Sequence, residues 1–282
     1  MPGHFHRKMS FNIPPMSPRR KDTPLRAVGL RLLAAALAAS AVYVFWLPDV
    51  SPLKTQNPKT TAFIELRRRQ AGRAGKKFKP RMAWRGFDAI SEHLKQAVLI
   101  TEDRSFYQHH GVDWESTREA LKKDIRKKRL AFGGSTITQQ LARNLYLSPT
   151  KNPLRKVKEL LIARRLEKTL GKRRIFELYL NIAEWGKGIF GAEAAAQAYF
   201  GKSAAALDPE EAAALAVILP SPRRWSPVNR PRHVERGMRR VIDKMRASGY
   251  LEDAAEQQLE EPAQDSVTES TSTSDRSMGS FR

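Results

Sequence analysis

An uncharged run of sixteen residues, Leu32 to Leu47, constrains this chain more than any other feature. It is rich in Ala and Leu and closes on Val-Phe-Trp-Leu before Pro48. Extended back through Ala27, Val28, Gly29 and Leu30, with Arg31 snorkelling, it reaches 21 residues, enough to cross about 30 Å of hydrocarbon. Arg7, Lys8, Arg19, Arg20, Lys21, Arg26 and Arg31 precede or open the run, against the single acid Asp22. That bias places the N-terminus in the cytoplasm. Ala38-Ala39-Ser40 resembles a signal-peptide cleavage site, but the apolar run continues past it, so the reading is an uncleaved anchor rather than a leader or a buried core helix. Residues 1–26 are then a cytoplasmic basic tail and 27–47 a membrane-spanning helix.

The remainder divides by composition. Residues 48–84 combine prolines with most of a basic stretch that runs from Glu65 to Arg85, and read as a linker and a juxtamembrane segment able to touch anionic head groups. Residues 85–250 read as one mostly helical domain, with helices expected over 91–101, 114–128, 135–146, 153–170, 173–183, 191–199, 208–218 and 231–247. Alternation at period two is nowhere sustained. Asp208-Pro209-Glu210-Glu211 has the form of a helix start. Residues 251–282 turn acidic and then Ser/Thr-rich, the composition of a disordered tail. The chain has no cysteine, which excludes disulfides, thiolate metal sites and a cysteine nucleophile. A net charge of +22 points to an anionic partner: nucleic acid, an acidic membrane surface or a phosphorylated substrate.

Three segments can carry chemistry. In TEDRSFYQHHGVD (101–113), Leu94, Val98 and Glu102 share one helical stripe, so Glu102 ends an apolar edge. A carboxylate so placed has a raised pKa, as a general base requires. His109 and His110 have no partner at metal-ligand spacing, which argues against zinc. In FGGSTITQQLARNLYL (132–147), Ser135 suits an N-cap, and the free N–H groups behind it suit an anion. The Gly-Lys-Ser/Thr ending of a phosphate-binding loop is missing. In the segment from Arg155 to Asn181, Arg155 and Glu159 share a helix face, normally a surface pair worth about 0.3–0.5 kcal/mol. Glu159 follows Glu102 by 57 residues. Two carboxylates among cations can flank a glycosidic or phosphoester centre, but spacing alone does not bring them together.

Taken in order, five segments resemble the glycosyltransferase family 51 domain of the peptidoglycan glycosyltransferases. They are TEDRSFYQHHGVDW (101–114), GGSTITQQLARNLYL (133–147), RKVKELLIARRLE (155–167), RIFELYLNIAEWGKGIFGAEAAAQAYFGK (174–202) and LDPEEAAALAVILPSPRRWSP (207–227). The resemblance covers roughly 85–245 and is closest to the stand-alone, monofunctional biosynthetic form. It implies a mostly α, lysozyme-like, two-lobed domain behind one transmembrane helix. The implied reaction polymerises lipid II into β-1,4 glycan strands, with inversion at carbon and release of undecaprenyl diphosphate. Glu102 matches the general base, with Asp103, Phe106 and His109 as its supporting shell on the substrate side. Glu159 matches the second glutamate, which organises the diphosphate directly or through a divalent cation, Mg²⁺ or Mn²⁺; no organic cofactor is implied. Ser135, Thr136, Gln139, Gln140, Arg143, Asn144 and Arg155 match the lining of the donor and diphosphate site. Position 143 is Arg where many relatives carry Lys, which spreads the charge over a planar fork.

The implied partners are lipid II, the growing strand, the bacterial inner membrane and other cell-wall synthesis proteins. Nucleic acid is not needed to explain the charge, and the catalytic domain is expected in the periplasm. Two other classes compete: a lytic muramidase on the same architecture, and a tethered nucleic-acid-binding or scaffold protein. The first would release reducing ends from finished murein. The second would show salt-dependent DNA binding and would leave the two glutamates without work.

Overall fold

A computed structural model describes residues 24–126, 134–150 and 152–251. The basic tail before Pro24, Gly133 and the Ser/Thr-rich tail beyond 251 lie outside the described residues. Helix α1, Pro24–Phe45, contains the stretch Ala27–Phe45, which is long and apolar enough to cross a membrane and is only 6% buried. The helix ends two residues short of the expected limit because Leu47 precedes Pro48 and is pushed out of the helical region. Its last turn docks on the domain. Val44 is buried, Lys158 lies 4.3 Å over the Tyr43 ring, and Arg165 donates to the Leu47 carbonyl.

The segment expected as linker is structured. Val50 and Leu53 sink into the core, and a helix α2, Ala62–Arg73, follows. Thr61 caps it by accepting from the Ile64 N–H, and Ile64 is buried. The reading by composition missed α2 because its arginines mask a stripe consisting of little more than Ile64 and the stem of Arg67. Eight further helices follow: α3 (Glu92–Glu102), α4 (Trp114–Arg126), α5 (Ile137–Tyr146), α6 (Pro153–Thr169), α7 (Lys172–Ile182), α8 (Ala192–Phe200), α9 (Pro209–Ile218) and α10 (Arg232–Ala247). Each lies within two residues of its expected limits. The capping box at Asp208 and Glu211 is present.

Helix α9 packs against both α3 and α10, which also touch each other, and α5 packs on α6 and α7. A small sheet, not expected from the sequence, packs on α8: β1 (Arg81–Met82), β2 (Glu184–Gly186) and β3 (Ile189–Phe190), in the order β1-β3-β2. Strands β1 and β3 are parallel, while β2 and β3 are antiparallel with an irregular register. Strands of two or three residues are too short to show alternation, so their pattern is invisible to a periodicity argument.

Gly191 closes the hairpin into α8 at φ +84° and ψ 153°, a region for glycine, and a Cβ there would meet the Asn181 carbonyl oxygen at 2.5 Å. Replacing Gly191 by Ala is expected to cost about 3 kcal/mol, read as a lower thermal midpoint. An unchanged midpoint would contradict this geometry.

Candidate active site

Helix α3 ends on Glu102, and the next residue builds the site. Asp103 is 7% exposed. Its Oδ2 accepts the Ile137 N–H at 2.9 Å, and its two oxygens receive His109 Nε2 at 2.9 and 3.0 Å. His109 Nδ1 accepts the Gly111 N–H at 3.1 Å, so the ring donates through Nε2. The end of α3 is thereby joined to the start of α5. Thr136, not Ser135, is the N-cap of α5: its hydroxyl accepts from the Gln139 N–H and donates to the Gly111 carbonyl. The expected anion site at this helix start is therefore taken, since Asp103 and Thr136 occupy two of its N–H groups. Phe106 is fully buried against Phe176 and His109, with Lys172 over its ring. Asp103, Phe106, His109, Thr136 and Gln139 thus form the backing of the site and are absent from the cleft lining.

The junction sets Glu102 against Gln140. Gln140 Nε2 donates to Glu102 Oε2 at 2.6 Å, and Tyr179 on α7 donates to Gln140 Oε1 at 3.1 Å. Glu102 Oε1 is buried and has no hydrogen-bond partner. Burial pushes the Glu102 carboxyl above its ordinary range; the Gln140 bond and the Arg143 charge oppose this, and Asp103 adds to it. Burial also raises the Tyr179 phenol, so it stays protonated and donating. Tyr179 was missed in the sequence, where it reads as one more apolar position of ELYLN; only its contact with Gln140 singles it out.

Gln140, Arg143, Asn144 and Tyr179 form one wall of a cleft of about 970 Å³. Ser135, Arg155, Lys156, Val157 and Leu160 form a second, and Phe63 and Arg67 of α2 with the segment Leu219–Arg224 close the rest. Glu102 stands one hydrogen bond behind the first wall.

Glu159 is not the surface pair expected from its spacing. It is fully buried, pairs with Arg155 through Oε2, and receives Lys156 at 2.6 Å on Oε1. Lys156 also donates to Ser135 Oγ at 3.1 Å and Gln139 Oε1 at 2.8 Å. Glu102 and Glu159 are therefore bridged by neighbouring residues of α5, Gln140 on one side and Gln139 on the other. The residues present do not fit a divalent cation at Glu159. Both of its oxygens are already committed to cationic side chains, and among the described residues no cluster of three His, Asp or Glu surrounds it. Arg143, by contrast, pairs with no carboxylate among the described residues, and its positive charge remains available to a ligand.

Cutting Glu159 to Gln leaves two cations facing a buried amide. A loss of about 3 kcal/mol of stability is expected, with Lys156 released from its hold on Ser135 and Gln139. A melting curve matching the wild type would show that the cluster carries no such strain.

A family model described as transglycosylase matches residues 71–246. A biosynthetic peptidoglycan transglycosylase of Aromatoleum aromaticum is 45% identical over 224 residues, covering 78% of this chain and 97% of that protein. Proteins of the same name from Azoarcus sp. and Alcanivorax borkumensis are 46% and 48% identical, covering 69% and 68% of this chain and 85% and 76% of their own lengths.

Proposed function

The chain belongs to the transglycosylase family and is a peptidoglycan glycosyltransferase of lysozyme-like, mostly helical fold, and on that premise we propose that it polymerises lipid II at the inner membrane with Glu102 as general base. The observation that carries this reading is the state of Glu102: a carboxylate with one oxygen held by a neutral amide, the other free, no cation bound to it, and a raised pKa. Such a group has a higher proton affinity than a free carboxylate, which suits a general base.

In the proposed step, the 4-hydroxyl of the acceptor's N-acetylglucosamine attacks C1 of the donor's N-acetylmuramic acid. The hydroxyl proton passes to Glu102 as the new C–O bond forms. The bond from C1 to the diphosphate oxygen breaks on the opposite face, and its electron pair leaves with undecaprenyl diphosphate, giving a β-1,4 link with inversion. Negative charge grows on the diphosphate at departure. Arg143 meets it with an uncommitted guanidinium, and Arg155 and Lys156 together exceed Glu159 by one positive charge. Fixed donors of this kind stabilise developing charge by several kcal/mol, on the order of 3, in a site that excludes water. The apolar side of the cleft, with Phe63, Val157 and Leu160, suits a lipid-linked substrate. Helix α1 supplies the single-pass anchor, with the N-terminus in the cytoplasm and the domain in the periplasm. Its docking on α6 keeps the cleft near the bilayer that holds the substrate.

The decisive experiment is polymerisation of labelled lipid II by wild type and by Glu102→Gln. Polymer from the first and at least about a hundredfold less from the second is expected; equal turnover would remove Glu102 from the role of base. The same substitution has a stability signature. A carboxyl whose folded pKa is raised destabilises the fold as pH climbs from its unfolded pKa, near the ordinary glutamate value of 4.5, toward the raised one. Glu102→Gln should therefore melt higher than wild type at neutral pH, with the gap closing as pH falls below the ordinary carboxylate range. A gap that widened on acidification would reverse the assigned shift.

Removal of residues 1–47 leaves Val50 and Leu53 in the core. A folded enzyme with lower activity on bilayer-embedded lipid II is expected, and equal activity on liposomes would show that the anchor plays no part in access.

A further inference from the structure

Between Leu66 and Phe87 the sequence has no acidic residue and nine cations. The fold arranges this stretch deliberately with respect to the cleft. The first half of α2 faces inward: Ile64 is buried, Phe63 and Arg67 line the cleft, and Arg67 grips Glu184 through Nε and Nη2 at 2.6–3.1 Å. The second half, with the turn into β1, faces solvent. Arg69, Arg73, Lys76, Lys77, Lys79 and Arg81 are all exposed, and none forms an ion pair among the described residues. The helix carries this row about 15 Å along its axis from Phe63 to Arg73, and β1 continues it to the paired edge of β3.

We infer that this cationic row is a binding track for the glycan strand outside the cleft, held through the free carboxylates of the strand's peptide side chains. The inference rests on the polymerase reading above. A row of flexible cations of a single sign, without fixed partners, suits a polyanion whose charges recur along a chain. It also begins at the wall of the cleft in which that chain would be made. A bilayer surface is the competing occupant. Anionic head groups attract such a row by charge, but a helix inserted in a membrane surface also presents an exposed apolar face, whereas no large apolar side chain is exposed between residues 66 and 87; Phe78 is half-buried beside Gly188.

The test compares three full-length proteins: wild type, the track variant Arg73→Glu/Lys76→Glu/Lys77→Glu, and a control of equal charge change on the exposed face of α10, Arg236→Glu/Arg239→Glu/Arg240→Glu. Binding is measured to lipid-free, uncrosslinked glycan strands with free or amidated peptide carboxylates, and to vesicles of phosphatidylethanolamine and phosphatidylglycerol. Product length is read on gels. The expected result is about tenfold weaker binding of free-carboxylate strands by the track variant at low salt, no change with amidated strands, and shorter products. The α10 variant should match wild type. Equal strand binding by track variant and wild type overturns the inference, as does an equal loss in both variants, which would reflect net charge alone. Loss against vesicles only assigns the row to head groups and also overturns it. Should the reversals disturb folding, Arg73→Gln/Lys76→Gln/Lys77→Gln gives the same reading. A wild type that binds strands but makes no polymer defeats the polymerase reading, whereas polymer of unchanged length from the track variant defeats only this inference.

Discussion

The site depends on the carboxylate of Asp103. It sits where α3 stops, and it takes the first free N–H of α5 with one oxygen while both oxygens face the His109 ring. A charged acceptor at a helix start gains from both the hydrogen bond and the helix dipole. Its geometric effect is larger than its energy. It fixes the end of one helix against the start of another, and so sets Glu102 and Gln140, residues 38 apart in the chain, within one hydrogen bond. The backing formed by Phe106, Thr136 and Gln139 holds that junction rigid, which is what a base needs if it is to stay aligned with a hydroxyl.

Charge compensation separates Glu102 from the buried glutamates. Glu159 has Arg155 and Lys156, Glu184 has Arg67, and Glu193 has Arg85. The Arg85 hydrogen bond and charge hold the Glu193 carboxyl below its usual range. In a chain with a net charge of +22, Glu102 and Asp103 are the acids of the site held without a bound Lys or Arg among the described residues, Asp103 by His109 and the Ile137 N–H. Burial raises the proton affinity of Glu102, and the neutral amide of Gln140 and the charge of Arg143 offset that rise only in part. The same rule makes Glu159 a structural counter-charge. Its carboxylate keeps Arg155 and Lys156 in the cleft wall, where like charges would otherwise repel, and leaves a surplus of one positive charge for the substrate.

Helix α1 and the domain are continuous through residues 47–57. Arg165 holds the Leu47 carbonyl, and Arg174 holds the Leu53 and Gln56 carbonyls and the Asn57 side chain. A chain segment tied at so many backbone groups does not behave as a flexible tether. In the proposed function this fixes the orientation of the cleft to the bilayer, and α2 then wraps from that segment onto the cleft rim.

Much of the helical order was legible in the sequence because its signals are local. Apolar stripes, the Asp208 cap and Pro209 act within a turn or two, and they placed eight helices to within two residues of their limits. The apolar run before Pro48 likewise determined α1 by itself. What the sequence did not determine is every feature that depends on residues far apart. Arg67 meets Glu184 across 117 residues, and without that pairing α2 reads as a solvated basic stretch. Glu159 shows its spacing to Arg155 but not its burial. The helix start looks open until Asp103, 34 residues before Ile137, takes the Ile137 N–H. Tyr179 gains meaning only from Gln140. The tertiary structure decided these because burial and charge pairing are properties of the assembled core, set by which surfaces lose water together and not by any neighbour along the chain.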